Sequence, residues 1–247
     1  MKRKVFIVLF LAILLPALAS AQTSIPKITL GIGQAGTPGD VTVTLQVLLL
    51  LTILSLAPSI LIMMTSFTRI IVILHFLRQA IGTQSMPPNQ LVVGLALFLT
   101  MFVMQSTVDQ IYETAWKPYK SGMMTMQEAY KTSQKPITEF MLRQTREKDL
   151  ALFIKLSGRP QPDSPKDLPL SVVVPGFAIS ELRTAFQIGF LIYMPFLVID
   201  MVVASVLMSM GMMMLPPAMV SLPFKILLFV LVDGWYLTVE AIVKGFK

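Results

Sequence analysis

The chain has 247 residues, 55% of them hydrophobic and only 13% charged, with a mean hydropathy of +0.74, a mix outside that of water-soluble domains and suited to lipid or a dry protein interior. Without cysteine and with a single histidine, it lacks the material for disulfides, iron–sulfur clusters, a thiol nucleophile or a Cys/His zinc site, and no cofactor is implied. The net charge of +7 falls to +4 when Lys2, Arg3 and Lys4 are set aside as part of a leader; the remaining Lys and Arg are interspersed with Asp and Glu, so no polybasic run marks a nucleic-acid partner.

Residues 1–21 read as a secretory signal peptide. A basic start precedes an apolar run from Val5 to Leu15 and then Pro16-Ala17-Leu18-Ala19-Ser20-Ala21, with small residues in the A-x-A pattern. Cleavage is expected after Ala21, or alternatively after Ala19; the other reading is an uncleaved first membrane helix. Residues 22–42 are the mature N-terminal segment. From about Val43 to Met64 the chain is uncharged and long enough to cross a hydrocarbon core of about 30 Å. Pro58 removes one backbone donor there and is expected to kink the helix near Leu54.

From Ser66 to Gln79, Arg69, His75 and Arg78 interrupt Ile70, Ile71, Ile73, Leu74 and Leu77. This pattern predicts an amphipathic connector lying against protein or headgroups, with His75 a polar residue on it rather than a ligand. Gly82 and Pro87-Pro88-Asn89 end the connector. Leu91 to Val108 is a second hydrophobic helix, so residues 43–108 form the first hydrophobic helical region.

Residues 109–183 carry eleven Lys/Arg against nine Asp/Glu and read as a water-exposed helical domain on the periplasmic side. Thr125-Met126-Gln127-Glu128 fits a capping box and Pro136 a first-turn position. Ile137, Phe140 and Met141, then Leu150, Phe153 and Ile154, give apolar stripes at helical spacing, and Arg159 to Pro169 is a loop.

Residues 184–247 read as a hydrophobic hairpin: Thr184 to Leu207, a turn from Met208 to Pro217, and Ala218 to Val243. Charges inside such arms are expensive and face a partner or a wet cavity, which makes Asp200, Lys225 and Asp233 candidates for function. Asp200 lies twelve residues before Met212 and Lys225 twelve after Met213, so both stand about 18 Å from the bend at a rise of 1.5 Å per residue. They can pair, within the hairpin or between neighbouring subunits, or each can face water separately. The stretch Ser209-Met210-Gly211-Met212-Met213-Met214-Leu215-Pro216-Pro217 puts flexible, polarizable side chains where lipid contact would favour Leu or Ile; the plainer reading is a hydrophobic turn.

The expected architecture is an all-α integral membrane protein, with four long hydrophobic helices arranged as hairpins plus an extra-membrane helical domain. With the leader removed, the mature start lies outside, Arg69 and Arg78 inside and residues 109–183 outside. Phosphate-loop, metalloprotease and serine-hydrolase motifs are absent, so neither a catalytic nor a metal site is expected.

Met64-Thr65-Ser66-Phe67-Thr68-Arg69-Ile70, Leu77-Arg78-Gln79-Ala80, Pro87-Pro88-Asn89-Gln90, and Phe186-Gln187-Ile188-Gly189-Phe190 through Asp200-Met201-Val202-Val203-Ala204-Ser205 to the Met-rich turn resemble the FliP family of flagellar type III export gate proteins. The resemblance covers residues 43–247. It implies a homopentamer, joined by FliQ and FliR, that forms the entrance channel for unfolded flagellar substrates in the basal body at the bacterial inner membrane. FlhB, FlhA, the MS ring and membrane lipid are further implied partners. By the same resemblance Met210, Met212, Met213 and Met214 are a methionine gasket, and Phe140, Phe153 and Glu181 are subunit contacts. It also implies that the apolar segments pack largely on partner subunits, raised above the membrane plane.

A small-solute secondary transporter is the competing class, since it too uses intramembrane charges and broken helices. Its only echo here is Met86-Pro87-Pro88 and Leu215-Pro216-Pro217, each preceding a hydrophobic helix. A membrane-embedded hydrolase would need a nucleophile or metal set that the sequence does not supply.

Overall fold

The computed structural model describes residues 38–83, 86–158, 164–212 and 214–246, and every element among them is helical. The expected signal peptide, most of the 22–42 segment and Met213 lie outside the described residues. The elements are α1 (Pro38–Met63), α2 (Phe67–Ile81), α3 (Asn89–Ile111), a π-helical turn (Tyr112–Trp116), α4 (Lys117–Lys120), α5 (Met126–Gln144), α6 (Glu147–Leu156), a 3-10 turn (Pro165–Asp167), α7 (Leu170–Ser209), α8 (Pro217–Leu231) and α9 (Gly234–Lys244). The chain divides between Thr52 and Ile53. In the first unit α1 carries Leu45, Leu48, Leu49, Leu50 and Leu51 exposed. A stripe so uniformly apolar and uncovered belongs in lipid or against another chain.

The second unit is organised around α2. Ile70, Ile73, Leu74, Leu77, Ala80 and Ile81 of this helix are all buried, because their spacing lays them along one face. Ala185 and Gly189 of α7, Val92 and Ala96 of α3 and Ile242 of α9 close over that face. The close approach of α7 depends on Gly189, where an added Cβ would stand 2.6 Å from the Phe76 ring. The expected connector is therefore the central core helix. A second cluster joins α5, α6 and the first turns of α7 through Phe140, Met141, Leu168, Val173 and Phe177.

Two boundaries differ from those expected. The hairpin arm begins at Leu170 rather than Thr184, as one helix of 40 residues. At 1.5 Å per residue it is about 60 Å long, twice a hydrocarbon core, and its Glu181 and Arg183 stand about three turns in from an apolar start. Pro136 sits inside α5, not in a first turn, where it forgoes the hydrogen bond to the Thr132 carbonyl. The start of α5 is instead the capping box: Thr125 Oγ1 accepts from the Glu128 N–H at 3.3 Å and Glu128 Oε2 accepts from the Thr125 N–H at 2.8 Å. The Thr125 N–H foremost, and then the Thr125 hydroxyl, which donates to the same Oε2 at 2.8 Å, hold the Glu128 carboxyl below its ordinary range.

Among the described residues two helices are long and apolar enough to cross a membrane, Asn89–Lys120 and Leu170–Ser209; the pair Pro217–Leu231 and Gly234–Lys244, bent by 64°, counts as a third if taken as one span. Arg69 of α2 is hydrogen-bonded to Gln144 of α5 and Glu181 of α7, so the expected connector and the 109–183 region meet directly.

Candidate functional site

The hairpin of α7 and α8 ends in the methionine turn. Met210 caps α7, and Gly211 at φ 73° takes the left-handed conformation that ends the helix cheaply only at glycine. The Met212 N–H then donates to the Leu207 carbonyl at 3.0 Å. Pro216 and Pro217 start α8, where a missing N–H costs nothing. This chemistry leaves the tip bare: Met210 is exposed, Met212 half-buried and Met214 98% exposed. Beneath the tip, Val198, Val202, Val206, Val220 and Phe224 line an almost wholly apolar groove of about 490 Å³ between the two arms.

Asp200 and Lys225 meet at one level of the hairpin, with Lys225 Nζ donating to Asp200 Oδ2 at 2.5 Å. The Ser221 hydroxyl donates to the other oxygen, Oδ1, at 2.5 Å. The side chain of Lys225 is only 5% exposed and that of Asp200 31%. An ammonium so enclosed requires its carboxylate, whereas Asp200 keeps a path to its surroundings. Asp233, the third candidate, joins neither. It is exposed at the junction of α8 and α9, in the left-handed region at φ 51°.

A second polar centre lies at the opposite end of α2. Arg69, 2% exposed, donates from Nε to Glu181 Oε2 at 2.9 Å and from Nη2 to Glu181 Oε1, while Glu181 is wholly buried. The same guanidinium donates from Nη1 to the Gly245 carbonyl at 2.8 Å and from Nη2 to Gln144 Oε1 at 3.0 Å, and its carbon lies 3.9 Å from the centre of the Phe246 ring. Gln144 Nε2 donates to the Phe246 carbonyl at 3.2 Å. One planar fork of donors thus ties α2, α5, α7 and the residues after α9 together.

Phe140 packs edge-on against Phe177 at 5.9 Å and stacks on Phe246 at 6.4 Å. Phe153 is half-buried against the same cluster. Direct contact with a neighbouring subunit needs exposed atoms, and in the protomer Glu181 presents none and Phe140 almost none. Their measurable role within one chain is to hold the α5–α7 region to α2. Nearby, Asp149 accepts from Ser180 Oγ at 2.6 Å and from Arg146 Nε at 2.9 Å. Burial pushes the Asp149 carboxyl up, but those bonds and the charges of Arg146 and Arg183 outweigh it and hold the group below its ordinary value. Among the described residues no three His, Cys, Asp or Glu side chains converge as metal ligands would.

Sequence reasoning missed Ser221, Gln144 and Phe246. Ser221 had a readable signal, since it lies one helical turn before Lys225 on the same face. Gln144 and Phe246 had none, because their partner Arg69 is 75 or more residues away.

The sequence profile of the FliP family matches residues 50–242, a span that contains the methionine turn, Asp200, Ser221 and Lys225, and the Arg69, Gln144 and Glu181 side chains, with Gly245 and Phe246 just beyond it. The chain is 59% identical over 209 residues to the flagellar biosynthetic protein FliP of Bacillus subtilis (strain 168), covering 85% of this chain and 95% of that one. It is 53% identical over 205 residues to the protein of the same name from Pectobacterium carotovorum subsp. carotovorum, covering 83% and 80% of the two chains. With that of Aquifex aeolicus (strain VF5) it shares 46% identity over 239 residues, 96% of this chain and 98% of the relative.

Proposed function

Because the chain belongs to the FliP family, we propose that it is a non-enzymatic subunit of the flagellar type III protein export gate, required for flagellum assembly. Copies of the chain, five by the family resemblance, join FliQ and FliR in a ring at the inner membrane, within the basal body and its MS ring and beside FlhA and FlhB. Unfolded flagellar proteins pass through the centre. Met210, Met212, Met213 and Met214 close that passage at rest.

The observation that carries this reading is the bare methionine tip, with Met214 98% exposed at the end of a hairpin whose arms are tied by the Asp200–Lys225 pair. An apolar turn presented so fully has its partners outside the chain, and copies around an axis supply them. Methionine suits the task because its unbranched thioether packs on identical neighbours when the passage is closed and on any polypeptide when it is open. The broad exposure of Phe186, Phe190, Leu191 and Met201 along α7 supports further coverage by other subunits or lipid.

The test is leakage. Replacing Met212, Met213 and Met214 by alanine should raise ion and small-molecule passage across the inner membrane at matched complex abundance, with the ring still assembled. Unchanged leak in an intact ring would place the seal elsewhere.

A further inference from the structure

We propose that the break between α8 and α9, together with Pro195 on the facing arm, is the hinge about which the methionine-tipped half of the hairpin moves, with Asp233 and Gly234 as its positioning residues. The proposal rests on the gate reading above and adds how that gate opens.

The two arms are weakened at the same level. On one, α8 stops at Leu231, the chain turns by 64°, and α9 starts at Gly234. Asp233 adopts φ 51° and ψ 56°, a conformation unfavourable for residues with a Cβ and best tolerated, after glycine, by Asn and Asp. Gly234 is required by space: a Cβ there would stand 2.1 Å from ring carbons of Phe229. On the other arm α7 runs on without interruption, but Pro195 has no N–H for the Leu191 carbonyl, so one rung of that helix is missing. The aromatic rings show that these points face each other, since Phe229 lies 6.5 Å from Phe196 and 5.5 Å from Trp235.

On either side of this level the parts are tied. Toward the tip, Lys225 and Ser221 fasten α8 to Asp200 of α7. Pro223 removes a further rung of α8, but it sits between those two anchors, so little bending can develop there. Away from the tip, Arg69 and Gln144 hold the carbonyls of Gly245 and Phe246, and Glu181 holds α7 to the same arginine. A tied hairpin above and a tied bundle below leave the level of Pro195 and Asp233 as the compliant one. Gly82, which faces Leu222 and Lys225, presents no side chain to the moving arm. From Leu231 to Pro217 the arm is about 22 Å long, so a rotation of about 20° carries the tip roughly 8 Å, a polypeptide-sized displacement when repeated around a ring.

The chain has no native cysteine, so spin labels can be placed at will on exposed positions. One pair spans the hinge, Leu191→Cys with Met219→Cys; the control pair, Met208→Cys with Met219→Cys, lies wholly above it, and all three sites are well exposed. Distances are measured by pulsed dipolar spectroscopy in the assembled complex, with labelled chain diluted by unlabelled, at rest and with an export substrate jammed by a folded domain. The hinge-spanning distance should shift by roughly 5–8 Å on jamming while the control stays within about 2 Å, as expected for a rigid arm of that length. In parallel, Asp233→Gly and Asp233→Asn should export normally, whereas Asp233→Val, whose branched side chain opposes the left-handed backbone, should lose export at least tenfold at unchanged ring abundance.

An unmoved hinge-spanning distance in a jammed complex would overturn the hinge and leave the gate reading standing. A change in both distances would overturn it too, because the hairpin would then open along its length. Failure to find any ring or jammed channel would overturn the gate reading itself, and the hinge with it.

Discussion

Arg69→Met tests the polar centre that holds the core helix to its neighbours. The substitution keeps an unbranched side chain about as long as the arginine stem and removes every donor, so it strands Glu181, which has no exposure through which to recover water. Removing one member of a buried ion pair costs about 3–5 kcal/mol. The contact between the buried guanidinium and the half-buried Phe246 ring adds about 1 kcal/mol. The orphaned Gln144 adds little, because it lines a cavity of about 530 Å³ into which water can move. A loss of about 4–6 kcal/mol is a large share of the 5–15 kcal/mol available to a typical domain. The assay is thermal unfolding of the detergent-solubilised protein followed by tryptophan fluorescence. Arg69→Lys should also lose stability, since one ammonium cannot serve both carboxylate oxygens, Gly245 and Gln144 from one plane. The double variant Arg69→Met/Glu181→Leu should recover most of the loss, because no unpaired charge then remains. Stability of Arg69→Met within about 1 kcal/mol of the parent, or a double variant no better than the single, would refute the reasoning.

Gly189→Ala should destabilise by about 1–3 kcal/mol through its clash with Phe76, and Phe76→Leu in the same chain should restore part of that in the same unfolding assay. Asp200→Ala should reduce assembled complex more than Lys225→Ala, since the first leaves an ammonium that is 5% exposed and the second a carboxylate that is 31% exposed with Ser221 still donating to it; blue-native gels of membrane extracts read the difference, and the charge-swapped double variant should regain part of the loss. Asp149 is held below its ordinary value, so its contribution is present above the unfolded carboxyl value near 3.9 and is lost as pH falls through the lower folded value. Stability measured against pH should accordingly fall below about pH 4, with a shallower acid limb in Asp149→Asn.

The helical class, the methionine turn and the equal depth of Asp200 and Lys225 could be read from the sequence because each is a local or symmetric pattern. Periodicity locates an apolar face, and counting from a turn locates two residues at one level. The position of α2 could not be read the same way. Arg69, His75 and Arg78 give that helix an amphipathic look, and only the pairing of Arg69 with Glu181, 112 residues on, turns its charged residue inward. The same long-range bond joins α2 to the 109–183 region, a contact hydropathy could not foresee because it has no access to which charges meet. The extent of α7 was hidden for a related reason. Composition changes near Thr184, but the backbone does not, and Pro175 and Pro195 are absorbed as missing rungs rather than used as ends. The bend at Asp233 has no composition signal beyond a charged residue before a glycine, and it became legible only through the backbone angle and the Phe229 ring against Gly234.

The central claim is that copies of this chain form a ring around a passage closed by the methionine turns. Single-particle imaging of the complex extracted in mild detergent tests it most directly. The account predicts a closed ring with one central axis, with the residues of the methionine turn at its narrowest point and α1 covered by neighbouring chains or detergent. A monomer or dimer without a central channel, or a ring in which the turns point away from the axis, would contradict it.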